Sequence, residues 1–420
     1  MKLKETKYLW AVMLLALVLR LVPVCWNNQP PVSDGIMYHQ LARSLIEVGT
    51  YSYADGTATA YWPPGYPLLL CGLYTLGFSL LAVKLFQVAL GLISVWLAFL
   101  IGCRLAGTKA GLWTSLLLAV HPYHIFYCNL ILTETLFVAL FAGSLLFYCR
   151  VQESSSFKDA GLLGLFTGAG ILVRPFFIML PAFFILLSPK RFKPLLLTLF
   201  ISAIIIAPWT LRNYRVFHKL IPVSSNGGIN FWIGHNPKTT GGFQATGNLP
   251  LSIQQADENA QSTMAYRDGF KYALMHPAEE LGHSCLKIWW LFMPDYGSLM
   301  WAGSLDTGNK FFILTAGLLG FYPLALAFAG LWGLIKLKYG FLWQGILFYI
   351  LGVCCLFFSQ PRYLLPFTPV LVISAATLFA GDSSIQNSQT LIKKRFFAVF
   401  LIIFIIVGII YWGLRYLLSP

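Results

Sequence analysis

Charge, and negative charge above all, is what this sequence has least of. Only 10% of its 420 residues are charged, and Asp and Glu together number 15 against 29 Lys and Arg. Soluble domains carry about a quarter charged residues, so the composition excludes an aqueous fold. The eight cysteines (Cys25, Cys71, Cys103, Cys128, Cys149, Cys285, Cys354, Cys355) show no CxxC spacing and lie mostly in apolar runs. That pattern excludes a disulfide framework and a thiolate metal centre. His39, His121, His124, His235, His276 and His283 form no HxxxH or HExxH pair, so a histidine metal site is not signalled either. No internal repeat and no low-complexity tract interrupts the chain. The first apolar run is longer than a signal-peptide core and lacks a small-residue cleavage site, so it reads as a retained first span.

What is abundant is apolar length. The chain is 58% hydrophobic with a mean hydropathy of +0.71. It reads as an all-α polytopic membrane protein of roughly eleven transmembrane helices. The spans are placed at about 8–25, 82–103, 110–127, 130–149, 160–173 and 175–187, a seventh ending near 209, then 311–335, 341–358, 363–380 and 396–414. The net charge of +14 does not point to nucleic acid. Fifteen of the basic residues, Lys2, Arg104, Lys109, Lys190, Arg191 and Lys193 among them, fall in short loops on one side with only four acids. This is the positive-inside signature, which puts the N-terminus in the cytoplasm of a cell whose plasma membrane the chain crosses. The chain reads as one integral membrane domain, 1–420, with a first extracytoplasmic loop at 26–81 and a larger extracytoplasmic region at 210–310. Within that region 224–247 is rich in Gly and Asn and reads as loop, and 252–286 has helical composition.

The first loop organises the rest. Tyr38, Leu41, Ala42, Leu45 and Ile46 fall on one helical stripe, with His39, Arg43 and Glu47 on another face. Ser33 or Asp34 can cap this amphipathic helix and Gly49 can end it, so it lies along the membrane surface. A rigid Trp62-Pro63-Pro64-Gly65-Tyr66-Pro67 corner closes the loop, and 67–81 reads as a surface or re-entrant helix.

Few residues can carry chemistry. Asp34 is a general base, a metal ligand or a helix N-cap. Glu134, placed about one turn inside the outer end of the fourth span, is a functional acid or a first-turn residue favoured by the helix dipole. Arg362, Arg174 and Lys84 ring the same outer mouth and suit an anionic headgroup such as a phosphate; the alternative is snorkelling to lipid phosphates. Arg20 receives the snorkelling reading. The interfacial aromatics Tyr61, Trp62, Tyr66, Phe231, Trp232, Trp289 and Trp290 are a membrane belt or a sugar-stacking surface.

Taken in order, these residues resemble the polytopic GT-C glycosyltransferases, in particular the group similar to dolichyl-phosphate-mannose protein mannosyltransferases and lipid A aminoarabinose transferases. The resemblance spans nearly the whole chain. It rests on Ser33-Asp34 with Tyr38, Pro63-Pro64-Gly65-Tyr66-Pro67, His121-Pro122, Leu132-Thr133-Glu134-Thr135, Leu172-Val173-Arg174-Pro175, Ala207-Pro208-Trp209-Thr210-Leu211-Arg212-Asn213, Asn226-Gly227-Gly228-Ile229-Asn230-Phe231-Trp232 and Pro361-Arg362-Tyr363. It implies inverting transfer of a sugar from a polyprenyl-phosphate-linked donor to an acceptor hydroxyl of a protein, lipid or glycan at the extracytoplasmic face. It implies Asp34 as base and Glu134 as the second acid, which positions Asp34, binds the acceptor or helps hold a divalent metal. Arg362, with Arg174 or Lys84, would take the donor phosphate, and Tyr38, His39, Tyr61, Trp62, Asn230 and Trp232 would contact acceptor or sugar. Two departures stand out. Relatives often carry a second acid directly after the first-loop Asp, where this chain has Gly35, which weakens a metal-binding role for the loop. Relatives often have a basic residue before the Pro-Pro-Gly corner, where Ala60-Tyr61-Trp62 stand here. The competing class is a transporter or flippase of an amphipathic lipid-linked substrate, which should show repeat symmetry and polar residues at mid-membrane depth. Here they cluster at the outer ends.

Overall fold

In the computed structural model, residues 3–26, 30–244, 249–295 and 320–380 are described, apart from 321, 324, 332 and 334–339. Among them the secondary structure is helical, with two isolated bridges, Ser52 with Ala58 and Gly242 with Ser359. Five helical segments are long and apolar enough to cross a membrane. The chain is thus an all-α polytopic membrane protein. The expected spans at 311–335 (in large part) and 396–414 lie outside the described residues.

The first span is α1 (Leu3–Trp26). The surface helix of the first loop is α2 (Asp34–Glu47), and the Pro-Pro-Gly corner leads into α3 (Gly65–Thr75). The next helix, α4 (Leu80–Ala119), is too long for one crossing and is broken at Ala106 and Gly107, the latter with φ 83. Its arms, 80–105 and 108–119, fold back on each other. A Cβ on Gly102 would lie 2.9 Å from the Gly111 Cα, and one on Gly111 would lie 2.8 Å from the Phe99 carbonyl oxygen. Only glycines allow this approach of two backbones, and the turn itself needs the positive φ that Gly107 supplies. The second span read from the sequence is the first arm; the third, read at 110–127, starts as the second arm, whose residues 108–119 are too few to cross a bilayer alone.

The third span ends earlier than expected, at Ala119 rather than 127. Past His121 the chain restarts as a short helical turn, Pro122–Phe126, because Pro122 removes a backbone donor at the break. The following span, α5 (Glu134–Ser154), begins later than expected, so Glu134 is the first residue of its helix and not one turn inside it. α6 (Phe157–Val173) packs along α5. The sixth span proves short and broken: a 3-10 turn at Pro175–Phe177 precedes α7 (Leu180–Leu187), whose eight residues cannot cross a bilayer alone. α8 (Phe192–Phe217) continues two turns past the expected end near 209, carrying Pro208 within it. Within the Gly- and Asn-rich stretch read as loop, Gly227–Gly234 forms α9. Gly228 lies so close to α10 (Glu258–Met275) that a Cβ would be 2.0 Å from the Ser262 carbonyl oxygen, so the glycines there serve helix contact and not looseness. α11 (Pro277–Leu291), α12 (Gly340–Leu356) and α13 (Thr368–Ala380) complete the order.

Arg20 does not snorkel. It is fully buried between α1 and the two arms of α4, donating to the carbonyls of Ala119 (2.9 Å), Leu118 (3.2 Å) and Ala16 (3.2 Å). Gly91 makes room for it, since a Cβ there would lie 2.8 Å from Arg20 Nε. A cation at the C-terminal end of a helix satisfies the carbonyls that the helix leaves unpaired, and hydrocarbon offers them no water.

The first loop is fastened from above. Between α2 and the Pro-Pro-Gly corner a small hairpin bends back at Gly56 (φ 82), its ladder closed by Tyr53 N–H to Thr57 and Thr59 N–H to Tyr51. Arg212, on the last turns of α8, donates to the carbonyls of Thr59 (2.8 Å) and Tyr51 (3.0 Å). Glu258, in the first turn of α10, accepts from Thr59 Oγ1 (2.6 Å), Ala60 N (2.9 Å) and Ser225 Oγ (2.6 Å). These contacts draw parts of the chain some two hundred residues apart onto one edge of the helix bundle.

Candidate active site

Four charged side chains that are widely separated in sequence meet at that edge. Asp34 Oδ2 lies 2.9 Å from Arg362 Nη1, Glu134 Oε1 lies 2.5 Å from Arg174 Nη2, and Arg362 Nη1 is also 4.0 Å from Glu134 Oε1. Each is brought by a different element. Asp34 is the first residue of α2, after Ser33, whose φ of 51 is a left-handed backbone that serine rarely adopts. Glu134 opens α5, where the helix N-terminus favours a carboxylate. Arg174 caps α6 in extended backbone, held there by the following proline. Arg362 sits in a 3-10 turn between Pro361 and Tyr363.

The first-loop acid does not cap its helix: no side-chain cap bond is made at the start of α2, and the Asp34 carboxylate turns to Arg362 instead. Glu134 is 1% exposed and Arg174 11%, so this pair is largely removed from water. Charges so placed persist only when paired. With two carboxylates and two guanidiniums the cluster sums to zero. Both arginines keep an Nε–H without a partner among the described residues, so each has a spare donor for an anion.

Aromatic rings surround the cluster. Tyr38, one turn along α2, meets Trp62 and Tyr66 edge-on, each with centroids 5.5 Å apart. Burial, with Asp34 beside it, pushes the Tyr38 phenol well above its ordinary range, and burial pushes Tyr61 up to about 12, so both stay neutral hydrogen-bonding groups. Tyr61, Trp232 and Tyr363 border one apolar cluster. The guanidiniums of Arg174 and Arg362 each stand 5.8 Å from the Tyr363 ring centroid.

Not every sequence candidate joins. His39 hydrogen-bonds Tyr74 of α3 (2.9 Å). Lys84 is fully buried near the start of α4, and the ion pairs of the cluster do not include it. A charged Lys at a span end reads as exposed from sequence, but the first arm of α4 turns this one inward. Asn230 is half-buried on α9 and makes no ion-pair or hydrogen-bond link to the cluster among those described. His121 is buried against His124, with ring centroids 4.8 Å apart.

Sequence reasoning missed two groups. Tyr363 was legible through its adjacency to Arg362. Asp295 was not: it is buried and accepts from the Tyr127 hydroxyl (2.7 Å), while its own N–H donates to the Tyr123 hydroxyl (2.7 Å). Tyr127 packs in the same cluster as Tyr38 and Tyr66, so a third acid is attached to the aromatic surround.

Gly35 now has a physical reason. A Cβ there would stand 2.4 Å from the Ile131 carbonyl oxygen, so no second acid fits after Asp34. As a site for a divalent cation the cluster is poorly suited: its two carboxylates are already taken by guanidiniums, and a metal would have to displace both. Among the described residues no group of three or more His, Cys, Asp or Glu is placed to hold a metal ion.

Residues 62–211 match the family model of dolichyl-phosphate-mannose-protein mannosyltransferases. No curated protein matches the chain in sequence. Among solved structures, it is similar to the archaeal oligosaccharyltransferase AglB from Archaeoglobus fulgidus in complex with an inhibitory peptide and a dolichol-phosphate. The TM-score is 0.51 at 14% identity, covering 97% of this chain and 55% of that one. The Archaeoglobus fulgidus oligosaccharyltransferase tethered to an acceptor peptide gives 0.53 at 11% identity, over 90% and 49%. ArnT from Cupriavidus metallidurans bound to undecaprenyl phosphate gives 0.48 at 14% identity, over 89% and 78%. The chain spans about half the length of the oligosaccharyltransferase chains it matches. The likeness establishes the fold, which is the GT-C fold of membrane glycosyltransferases.

Proposed function

We propose that this protein is an inverting glycosyltransferase that moves a sugar from a polyprenyl-phosphate-linked donor to an acceptor hydroxyl. In this reading it lies in the plasma membrane with its N-terminus cytoplasmic and its active site extracytoplasmic. The observation that carries the proposal is the convergence of Asp34, Glu134, Arg174 and Arg362. Each residue suits one requirement of the reaction. The acceptor hydroxyl must lose a proton as its oxygen attacks the anomeric carbon, and Asp34 is the acid with the greater access to solvent, 27% exposed. The lipid phosphate gains negative charge as it departs, and Arg362 and Arg174 each keep an unpartnered Nε–H. Glu134 holds Arg174 and faces Arg362, which makes it the residue that orients the phosphate-binding pair. Tyr61, Trp62, Trp232 and Tyr363 would form the wall against which the sugar or acceptor lies.

A groove supports the lipid nature of the donor. It has a volume of about 520 Å³ and runs between α6, the broken segment after Arg174 and α8, lined by Ile171, Ile178, Pro181, Ala203, Ile206 and Leu211 among others. Along α8 it reaches from Leu199 to Tyr214, roughly 22 Å at the helical rise, more than half the thickness of a bilayer core.

The test is mass spectrometry of lipids that co-purify with the protein in mild detergent, for wild type and Asp34→Asn. A polyprenyl-phosphate sugar retained by the variant and consumed by the wild type supports the proposal and gives the sugar's mass. If phospholipid alone is recovered from both, and no sugar leaves an added polyprenyl-phosphate donor, the proposal fails.

A further inference from the structure

The ion pair between Asp34 and Arg362 poses a difficulty that the proposed function leaves open. Asp34 Oδ2 is held 2.9 Å from Arg362 Nη1, so a carboxylate oxygen that would meet the acceptor hydroxyl already has a partner. The same Arg362 Nη1 also faces Glu134 at 4.0 Å, so the resting site is charge-balanced and closed on itself. Resting on the reading above, we propose that Arg362 is a gate operated by the donor: the incoming lipid phosphate takes Arg362 from Asp34, and only then is the Asp34 carboxylate open to the acceptor hydroxyl. Donor therefore binds before acceptor.

Three observations carry this. First, Arg362 is held by its backbone in the 3-10 turn between Pro361 and Tyr363 and is 12% exposed, so it cannot swing far, and the exchange is a change of partner in place. Second, the arginine keeps one unpartnered Nε–H, so a phosphate that engages Nε and Nη2 gains two parallel bonds while Asp34, on Nη1, offers one. Third, the cluster starts at zero net charge. One phosphodiester takes it to minus one, so two arginines then face three anions, and the carboxylate released is the more exposed one, Asp34 at 27% against Glu134 at 1%. The step balances. The acceptor oxygen bonds the anomeric carbon as the bond from that carbon to the phosphate oxygen breaks. The electron pair leaves with the lipid phosphate, and the hydroxyl proton passes to Asp34.

The experiment measures binding of undecaprenyl phosphate, without any sugar, to the purified full-length protein, by the change in its tryptophan fluorescence. It compares wild type, Asp34→Asn, Arg362→Ala and the double variant. Because Asp34 competes for Arg362, removing its charge should tighten binding, by about tenfold for one charge-assisted bond released. Arg362→Ala should weaken binding, and the double variant should match Arg362→Ala, since Asp34 acts through Arg362. Asp34→Ser repeats the measurement in case the asparagine amide still holds the arginine, and size-exclusion elution identifies any variant that has lost its fold. Unchanged or weaker binding in both Asp34 variants, with Arg362→Ala still impaired, overturns the gate and leaves the glycosyltransferase reading standing. No binding by wild type or by either Asp34 variant overturns both.

Discussion

Glu134 is the residue whose replacement most sharply separates structure from chemistry. It is 1% exposed, bound to Arg174 at 2.5 Å and facing Arg362 at 4.0 Å. At an effective dielectric of about 20, two unit charges 4 Å apart interact by about 4 kcal/mol, and desolvation of both partners offsets much of this. The informative quantity is therefore the cost of leaving a charge unpaired, about 3–5 kcal/mol for a buried pair broken on one side. Glu134→Gln keeps the shape and leaves the cluster at plus one, so it should lower stability by about that amount. Glu134→Gln combined with Arg174→Met returns the cluster to neutrality and should recover most of the loss, to within about 1 kcal/mol of wild type. Sugar transfer should remain lost in the double variant, because the phosphate-binding donor is gone. Thermal melts in detergent followed by intrinsic fluorescence read the stability, and transfer from a polyprenyl-phosphate donor reads the activity. A single variant as stable as wild type, or a double variant less stable than the single, would refute the reasoning.

Three further outcomes follow from the geometry. Gly35→Ala places a Cβ 2.4 Å from the Ile131 carbonyl oxygen, which should cost about 1–3 kcal/mol and shift the start of α2; since about 1 Å of misplacement can cost 100-fold in rate, kcat should fall far more than expression does. Arg20→Met strips the Ala119 carbonyl of its donor and takes the second donor from the Leu118 and Ala16 carbonyls, which should destabilise by about 1–3 kcal/mol, read as a lowered melting temperature, with kcat per folded molecule unchanged. Lys287 donates to the Cys355 carbonyl (2.8 Å), and burial depresses its ammonium from 10.5 to about 8. The folded protein thus gives up this proton before the unfolded chain does. Stability should rise as pH increases from 8 toward 10.5, and Lys287→Met should flatten that rise in melts across the range.

How much of this was legible in the sequence depended on the range of the interaction. Acids are so scarce in an apolar chain that Asp34 and Glu134 stand out, and the proline beside Arg174 and those flanking Arg362 single these arginines out. What the sequence could not supply is who pairs with whom. Whether Asp34 caps its own helix or reaches Arg362, more than three hundred residues away, is decided by tertiary packing. Local capping preference pointed to the wrong partner. The same limit explains Arg20, read as snorkelling, and Lys84, read as lining the outer mouth for a phosphate: burial between helices is invisible to a hydropathy window. The α4 hairpin was legible because basic residues near its tip, Arg104 and Lys109, fixed the parity of crossings. The helix at Gly227–Gly234 was not, because its glycines mark close helix contact and read locally as turn. Asp295 lies in a short polar stretch with no periodic signal, and only the two tyrosines that reach it give it a place.

The order in which the four charged residues leave the ribosome gives their neutrality a temporal side. Glu134 must enter the membrane while Arg174 is still being made, and Arg362 follows Glu134 by more than two hundred residues. At synthesis rates of about 5–20 residues per second, that interval lasts roughly 10–50 s. During it Asp34 has no arginine from the late segment to meet, and the nascent bundle carries an uncompensated acid at its edge. Arrival of Arg362 closes the cluster and removes the penalty at once. A chain truncated before that point should therefore be recognisable to membrane quality control by a carboxylate left without its counterion.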